Sequence, residues 1–148
     1  IEFKTNEIDS YLCARIIDYI RLEFLRLKVS FTFETVMSHI SKVEFLREAK
    51  RQGYKTYLYY VSTVDPQINI ARIESRVAAG GHNVASDKVI ERYYKSINNI
   101  KELLNICDIV HVYDNTKTPE RIIRKHKEEL SIYPNKYWNE LDILELME

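Results

Sequence analysis

The sequence predicts an α/β domain built on a mainly parallel sheet, on three observations. Runs rich in β-formers alternate with stretches whose apolar residues recur every three or four positions, the order that strand-helix-strand units impose. Turn chemistry falls at the joints, at Gly53, Asp65-Pro66 and Gly80-Gly81. With 148 residues, 45% of them hydrophobic and 30% charged, the chain is long enough to bury one core, and a single domain over residues 1–148 is expected.

From Ile8 to Leu27 the apolar residues Ile8, Leu12, Ile16, Ile17, Ile20, Phe24 and Leu27 have helical spacing, with Arg15, Asp18, Arg21 and Glu23 between them, which predicts a long amphipathic helix. Ser30–Glu34, SFTFE, alternates aromatic and polar residues at period two and reads as a short strand whose end presents Glu34 and Thr35. Ser41 and Glu44 have capping-box spacing and open a helix through Gln52, with Gly53 as its left-handed stop. Tyr54–Ser62, YKTYLYYVS, suits an inner strand covered on both faces. Asp65 then caps, and Pro66 starts, a helix with the stripe Ile68, Ile70, Ala71, Ile73 and Val77, which Ala78-Ala79-Gly80-Gly81-His82 breaks. Ser86 caps a further helix over 87–105, with Val89, Ile90, Tyr93, Ile97, Ile100 and Leu104 on one side. Asp108–Tyr113 is the next strand and closes in Asp114 and Asn115. In the tail, Thr118-Pro119-Glu120 has helix-capping chemistry, but two β-like runs around Lys127-Glu128, closed by Pro134, favour a hairpin; Asn135–Glu148 reads as a terminal helix. Strands at 31–34, 55–62 and 108–113 are expected to run parallel, with Glu34 and Asn115 opening toward the same edge.

Composition excludes several function classes. Twenty-two Lys and Arg balance 22 Asp and Glu, so neither nucleic acid nor an anionic membrane is expected as partner. Cys13 and Cys107 lie in apolar runs, too few for a disulfide scaffold or a zinc site, which fits a reducing, cytoplasmic location. No apolar stretch approaches the ~20 residues of a membrane helix, and IEFKTNEIDS has no secretory-signal pattern. Three glycines cannot form a Walker A loop or a dinucleotide fingerprint where they stand. The start at Ile1 rather than Met reads as a processed or truncated piece.

Arg72 and Arg76 lie one helical turn apart, and Arg92 follows across the Gly80-Gly81 hinge. Three guanidiniums around a flexible turn make a phosphate clamp; alternatively, Arg72 and Arg92 pair with neighbours such as Glu74 and Glu91 on solvated faces, which spacing alone favours. His82 is placed to reach a ligand or is an ordinary loop histidine. Glu34-Thr35 and Asp114-Asn115 end strands, where open parallel sheets bind ligands, and turn chemistry accounts for them equally. His39, His111 and His126 lack metal-ligand spacing, and no Ser or Cys stands in a nucleophile elbow.

The strings FETVMS, AKRQGYKTYLYYVST, RIESRVAAGGHNV, ERYYKSINN and VYDNT, in that order over Ile8 to Thr116, resemble the zeta-toxin-like family of P-loop kinases. The resemblance implies a three-layer α/β fold with a parallel sheet of P-loop kinase type, incomplete at the N-terminus, with a helical lid at about 77–92 and a C-terminal extension at about 117–148. It implies an ATP-dependent phosphotransferase, with magnesium, acting on a small hydroxylated acceptor such as a nucleotide sugar. Arg76 and Arg92 would neutralise the transferring phosphoryl group, Gly80, Gly81 and His82 would form the lid turn, Glu34 and Thr35 would face the acceptor, and Asp114 and Asn115 would lie near the adenine; Arg72 matches a position to which the resemblance assigns no contact.

Departures accompany the match. The family's first strand, Walker A loop and Asn-Ala-Asp strand have no counterpart, Asp9 of Asn6-Glu7-Ile8-Asp9 reads as a helix-start residue, and Ala85 stands where the family has proline. Without a phosphate cradle and its lysine this chain alone is expected to bind ATP weakly or not at all, to need no magnesium and to be inactive. The leading expectation is the C-terminal part of such a kinase, with an antitoxin as an admitted partner; the rival is an inactive remnant serving as a binding or structural module, as a homodimer. The parent reading frame separates the two.

Overall fold

A computed structural model describes residues 10–147; Ile8 and the helix-start residue Asp9 lie outside them. Within the span read as one domain, the described residues form two compact units, one ending at Thr35 and one beginning at Val36.

The first unit holds helix α1, Ser10–Arg26. The i,i+3 pairs Arg21–Asp18 at 2.8 Å and Arg26–Glu23 at 2.9 Å run along it, while Ile16, Ile17 and Ile20 of the expected apolar stripe are exposed. Its end is a left-handed turn: Lys28 has φ 58°, its amide donates to the Leu25 carbonyl at 3.2 Å, and the Val29 amide donates to the Phe24 carbonyl at 3.1 Å. The expected strand at Ser30–Glu34 does not form; those residues belong to no sheet. Phe31 turns back on Phe24 at 5.2 Å, Phe33 lies 6.1 Å from Phe31, and the Arg21 guanidinium sits 4.4 Å over the Phe33 ring. Period-two alternation decides which side chains share a face, but a strand exists only where a ladder receives it.

In the second unit, α2 spans Ile40–Arg51 and buries Val43, Leu46 and Ala49. Its cap is His39, whose ring accepts the Ser41 amide at 3.2 Å, in place of the expected Ser41 box. Gly53 ends it as expected, with φ 85° and the Tyr54 amide returning to the Ala49 carbonyl at 3.0 Å. Strand β1, Tyr57–Ser62, runs parallel to β2, Ile109–Asp114, in a register that sets Ser62 opposite Asp114. Helices α3, Pro66–Ala78, α4, Ser86–Asn98, and α5, Ile100–Ile106, make the crossover. The single helix expected over 87–105 is two, because Asn99 interrupts it and donates its side-chain amide to the Met37 carbonyl at 2.8 Å. Ala85, not Ser86, occupies the N-cap position of α4.

The hairpin expected around Lys127-Glu128 is present as β3, Glu120–His126, and β4, Glu129–Ile132, with Lys127 at φ 56°. It adds antiparallel to β2, so the sheet has the order β1-β2-β3-β4 and is mixed rather than parallel throughout. The register slips after Val112, and the extra residue Ile122 is fully buried with Ile123. The terminal helix is only α6, Glu140–Glu145, because the Asn135 side-chain oxygen takes the Tyr137 and Trp138 amides, each at 2.9 Å, and Asn139 then caps.

Helices α2, α5 and α6 join Leu58, Tyr60, Val110, Val112 and Ile123 in one core on one side of the sheet. On the other side Tyr57, Tyr59 and Val61 are 53%, 65% and 58% exposed. In place of the expected three layers this unit has two, and β1, read as an inner strand covered on both faces, is an edge strand among the described residues. Aromatic and β-branched density reports fit to a pleated surface, not whether a layer covers it. At the foot of the sheet Asp108 ion-pairs with Lys50 and accepts the Thr56 amide at 2.8 Å and its hydroxyl at 3.1 Å. Burial works to raise its pKa, but Lys50 and Thr56 outweigh it and hold the carboxyl below the usual range.

Candidate functional site

The carboxyl ends of β1 and β2 and the α3–α4 helix pair form the candidate site. β1 runs straight into α3: the Asp65 side chain accepts the Gln67 amide at 2.7 Å, and Pro66 occupies the first turn as expected. Two hydrogen bonds tie the end of β2 to the end of β1, and two more close the turn after β2 on itself. The Asn115 amide donates to the Ser62 carbonyl at 2.7 Å, the Val64 amide to the Thr116 hydroxyl oxygen at 3.0 Å, and the Thr116 amide and hydroxyl both to Asp114 Oδ1, at 2.9 and 2.5 Å. Asp114 is 1% exposed, and its second oxygen accepts from the Asn135 side chain at 3.0 Å. Its carboxylate is thus occupied in shaping the turn, while the Asn115 and Thr116 carbonyls point to α3.

Arg72 receives them. Its Nη2 donates to the Asn115 carbonyl at 2.7 Å and the Thr116 carbonyl at 3.2 Å. One turn on, Arg76 Nη2 donates to the His82 carbonyl at 3.4 Å, within the turn that follows α3. Gly80, at φ 90°, donates to Val77 and Gly81 to Arg76, each at 2.9 Å, closing α3 in a left-handed turn. A Cβ on Gly81 would meet Arg76 Cγ at 2.7 Å and the Arg76 carbonyl oxygen at 2.9 Å, so Gly81 is where the arginine stem crosses the turn. Arg92 is exposed on α4, and Glu91, its expected partner, pairs with Lys95 at 2.5 Å. Arg72's hydrogen bonds to carbonyls likewise replace the expected pairing with Glu74. His82 is exposed.

The structure therefore brings Arg72 to Asn115 and Arg76 to His82 around the glycine turn, and α3 packs against α4, which carries Arg92. Glu34 and Thr35 are exposed, lie on the irregular segment of the first unit, and end no strand, which corrects that expectation.

Residues without an assigned role join α4 to the sheet. The Tyr93 hydroxyl donates to the Thr63 carbonyl at 2.7 Å, and burial pushes Tyr93 up to about 12. Ser96 donates to the Val36 carbonyl at 2.7 Å, so in its 2.8 Å hydrogen bond with Tyr60 the tyrosine is the donor. Tyr93 follows Arg92 directly in the ERYYKSINN string and belongs to the apolar stripe expected over 87–105, the two local signals that marked it. Among the described residues no group of three His, Cys, Asp or Glu side chains could hold a metal ion, and no helix is long and apolar enough to cross a membrane.

The family model described as Zeta toxin matches residues 8–136. A protein of Haemophilus influenzae (strain ATCC 51907 / DSM 11121 / KW20 / Rd), described as "Uncharacterized protein", is 37% identical over 65 residues, 44% of this chain and 46% of the relative, so the match spans about half of that relative's length. No solved structure gives a significant match.

Proposed function

The chain belongs to the zeta toxin family, and from that premise we propose that it is part of a kinase that moves a phosphoryl group from ATP to a hydroxyl of a small acceptor, a nucleotide sugar being the substrate class. The observation that carries the reading is the α3–α4 pair: Arg76 and Arg92 stand on two helices joined by a glycine turn, beside the carboxyl ends of two parallel strands. Phosphoryl transfer is catalysed by positioning and by neutralising charge on the equatorial oxygens, which guanidiniums supply without proton bookkeeping. In this reading Arg76 and Arg92 hold the transferring group, Gly80, Gly81 and His82 let them close on it, and Asp114 and Asn115 hold the nucleotide end. A P-loop kinase type of fold, with β1 and β2 as its parallel pair, belongs to the same reading.

The arginines fit a polyphosphate. Among the described residues no group of three His, Cys, Asp or Glu side chains could hold a magnesium ion. The test is transfer of labelled γ-phosphate by the full-length protein to a panel of nucleotide sugars and simple hydroxylated compounds. Transfer that falls at least ~100-fold in R76A and R92A supports the reading, because one charge-stabilising arginine contributes that much or more; no transfer to any acceptor sinks it.

The exposed Tyr57, Tyr59 and Val61, on a strand that is an edge among the described residues, favour a second reading, a binding module that pairs with an antitoxin or with a second copy. A full-length protein that sediments as a monomer and transfers phosphate removes it.

A further inference from the structure

Two arginines one turn apart on α3 make different contacts. A helical side chain leans toward the helix N-terminus, and for Arg72 that direction is the carboxyl edge of the sheet, because α3 begins at the end of β1. There one nitrogen serves two carbonyls, Asn115 at 2.7 Å and Thr116 at 3.2 Å, across 43 positions of sequence. The amide side of that turn is anchored in the sheet by Ser62, by Thr116's hold on Asp114, and by Val64. Its carbonyl side is held from the lid helix. Arg76 instead reaches the lid turn at His82 and leaves the sheet end alone.

We infer that Arg72 is a positioning residue: it ties the second turn of α3 to the carbonyl side of the Asp114–Thr116 turn, so that the lid arginines and the nucleotide-holding turn are set in register by one side chain. The tie itself follows from the hydrogen bonds; its effect on catalysis rests on the kinase reading above. A lid that pivots on this tie carries Arg76 along a fixed arc relative to Asp114 and Asn115. Without it, α3 keeps its cap at Asp65 and its pairing with α4 but loses its link to β2.

The test compares full-length wild-type protein with R72A, R72K and R76A. Amide exchange over 112–118 should speed ~10-fold in R72A, as expected when one charge-assisted hydrogen bond holding a turn is lost, and stay at the wild-type rate in R76A. R72K, which keeps a charged donor, should recover most of the protection. In ATP-dependent transfer, R72A should raise the KM for ATP ~10-fold with kcat within about threefold, whereas R76A should lower kcat, the split that separates positioning from charge stabilisation. Exchange in R72A at the wild-type rate overturns the tie, and so does equal acceleration by R76A. If R72A does not fold, R72Q, which keeps an amide donor, stands in with the same two outcomes. If the wild-type protein transfers no phosphate, the kinase reading fails while the exchange comparison still decides the tie.

Discussion

The Asn135 side-chain amide donates to Asp114 Oδ2 at 3.0 Å and to Glu120 Oε2 at 3.1 Å, and so pins the chain after β4 to a carboxylate that is 1% exposed at the end of β2. The same side chain's oxygen organises the approach to α6 through Tyr137 and Trp138. N135A should therefore cost about 1–3 kcal/mol, the penalty for leaving a buried acceptor short of a donor. N135D, which sets a second carboxylate beside Asp114, should cost more. Urea midpoints of both variants check this, and midpoints equal to wild type would remove Asn135 as a clamp.

The three glycines should differ when replaced by alanine. Gly53 and Gly80 have open space but φ of 85° and 90°, so each alanine should cost about 1–2 kcal/mol for the left-handed backbone. At Gly81 the obstacle is the Arg76 carbonyl oxygen at 2.9 Å, which cannot swing away as a side chain can. G81A should therefore shift the amide resonances of 76–85 and lower transfer, while G53A leaves that region unchanged. A G81A spectrum that overlays on wild type contradicts the prediction.

Arg76 and Arg92 are exposed, and neither is held by a buried ion pair among the described residues. Their alanine variants should lower kcat at least ~100-fold while changing stability by less than about 1 kcal/mol, the pattern of clamp residues rather than of structural ones. Thermal melts and steady-state kinetics on the same samples decide it. Losses in stability of roughly 3–5 kcal/mol would instead mark them as partners in buried pairs.

Alkaline pH should weaken the junction between α4 and the sheet. Burial pushes Tyr93 up to about 12 and raises Tyr60 as well, above the value near 10 that a tyrosine has in the unfolded chain. Because the folded pKa is the higher one, the folded state keeps its protons where the unfolded state releases them. The stability from these hydroxyls is fully present below pH 10 and is lost as pH rises toward 12. Y93F should flatten that alkaline decline; a decline identical to wild type would show that Tyr93 does not cause it.

Cys107 should report opening of the core. It is 1% exposed, and burial pushes its thiol up to about 11, so at pH 8 almost none is the reactive thiolate. Labelling of Cys107 by a disulfide reagent in a C13S background should follow the urea unfolding curve. Rapid labelling without denaturant would contradict the burial.

Sequence alone determined the features whose cause lies within a few residues. Asp65-Pro66 opens α3 because cap and first-turn proline are adjacent, Gly53 and Gly80 stop helices because a positive φ is needed there, and Lys127-Glu128 turns a hairpin between two short β-like runs. The family, too, was legible, since its motifs are local strings in a fixed order. Tertiary structure decided what needs a distant partner. SFTFE has a strand's alternation, but its aromatics pack on Phe24 and Arg21, and Glu34 and Thr35 therefore end no strand. Asn99 splits a continuous helical pattern by reaching Met37, and β1 is an edge strand among the described residues because pairing is a property of neighbours rather than of composition. Arg72 looked like a surface charge beside Glu74; only the fold brings the Asn115 carbonyl, 43 residues away, within 2.7 Å of it. A hydrogen-bond acceptor on the backbone carries no side-chain signature, so no pattern of residue types could have announced that contact.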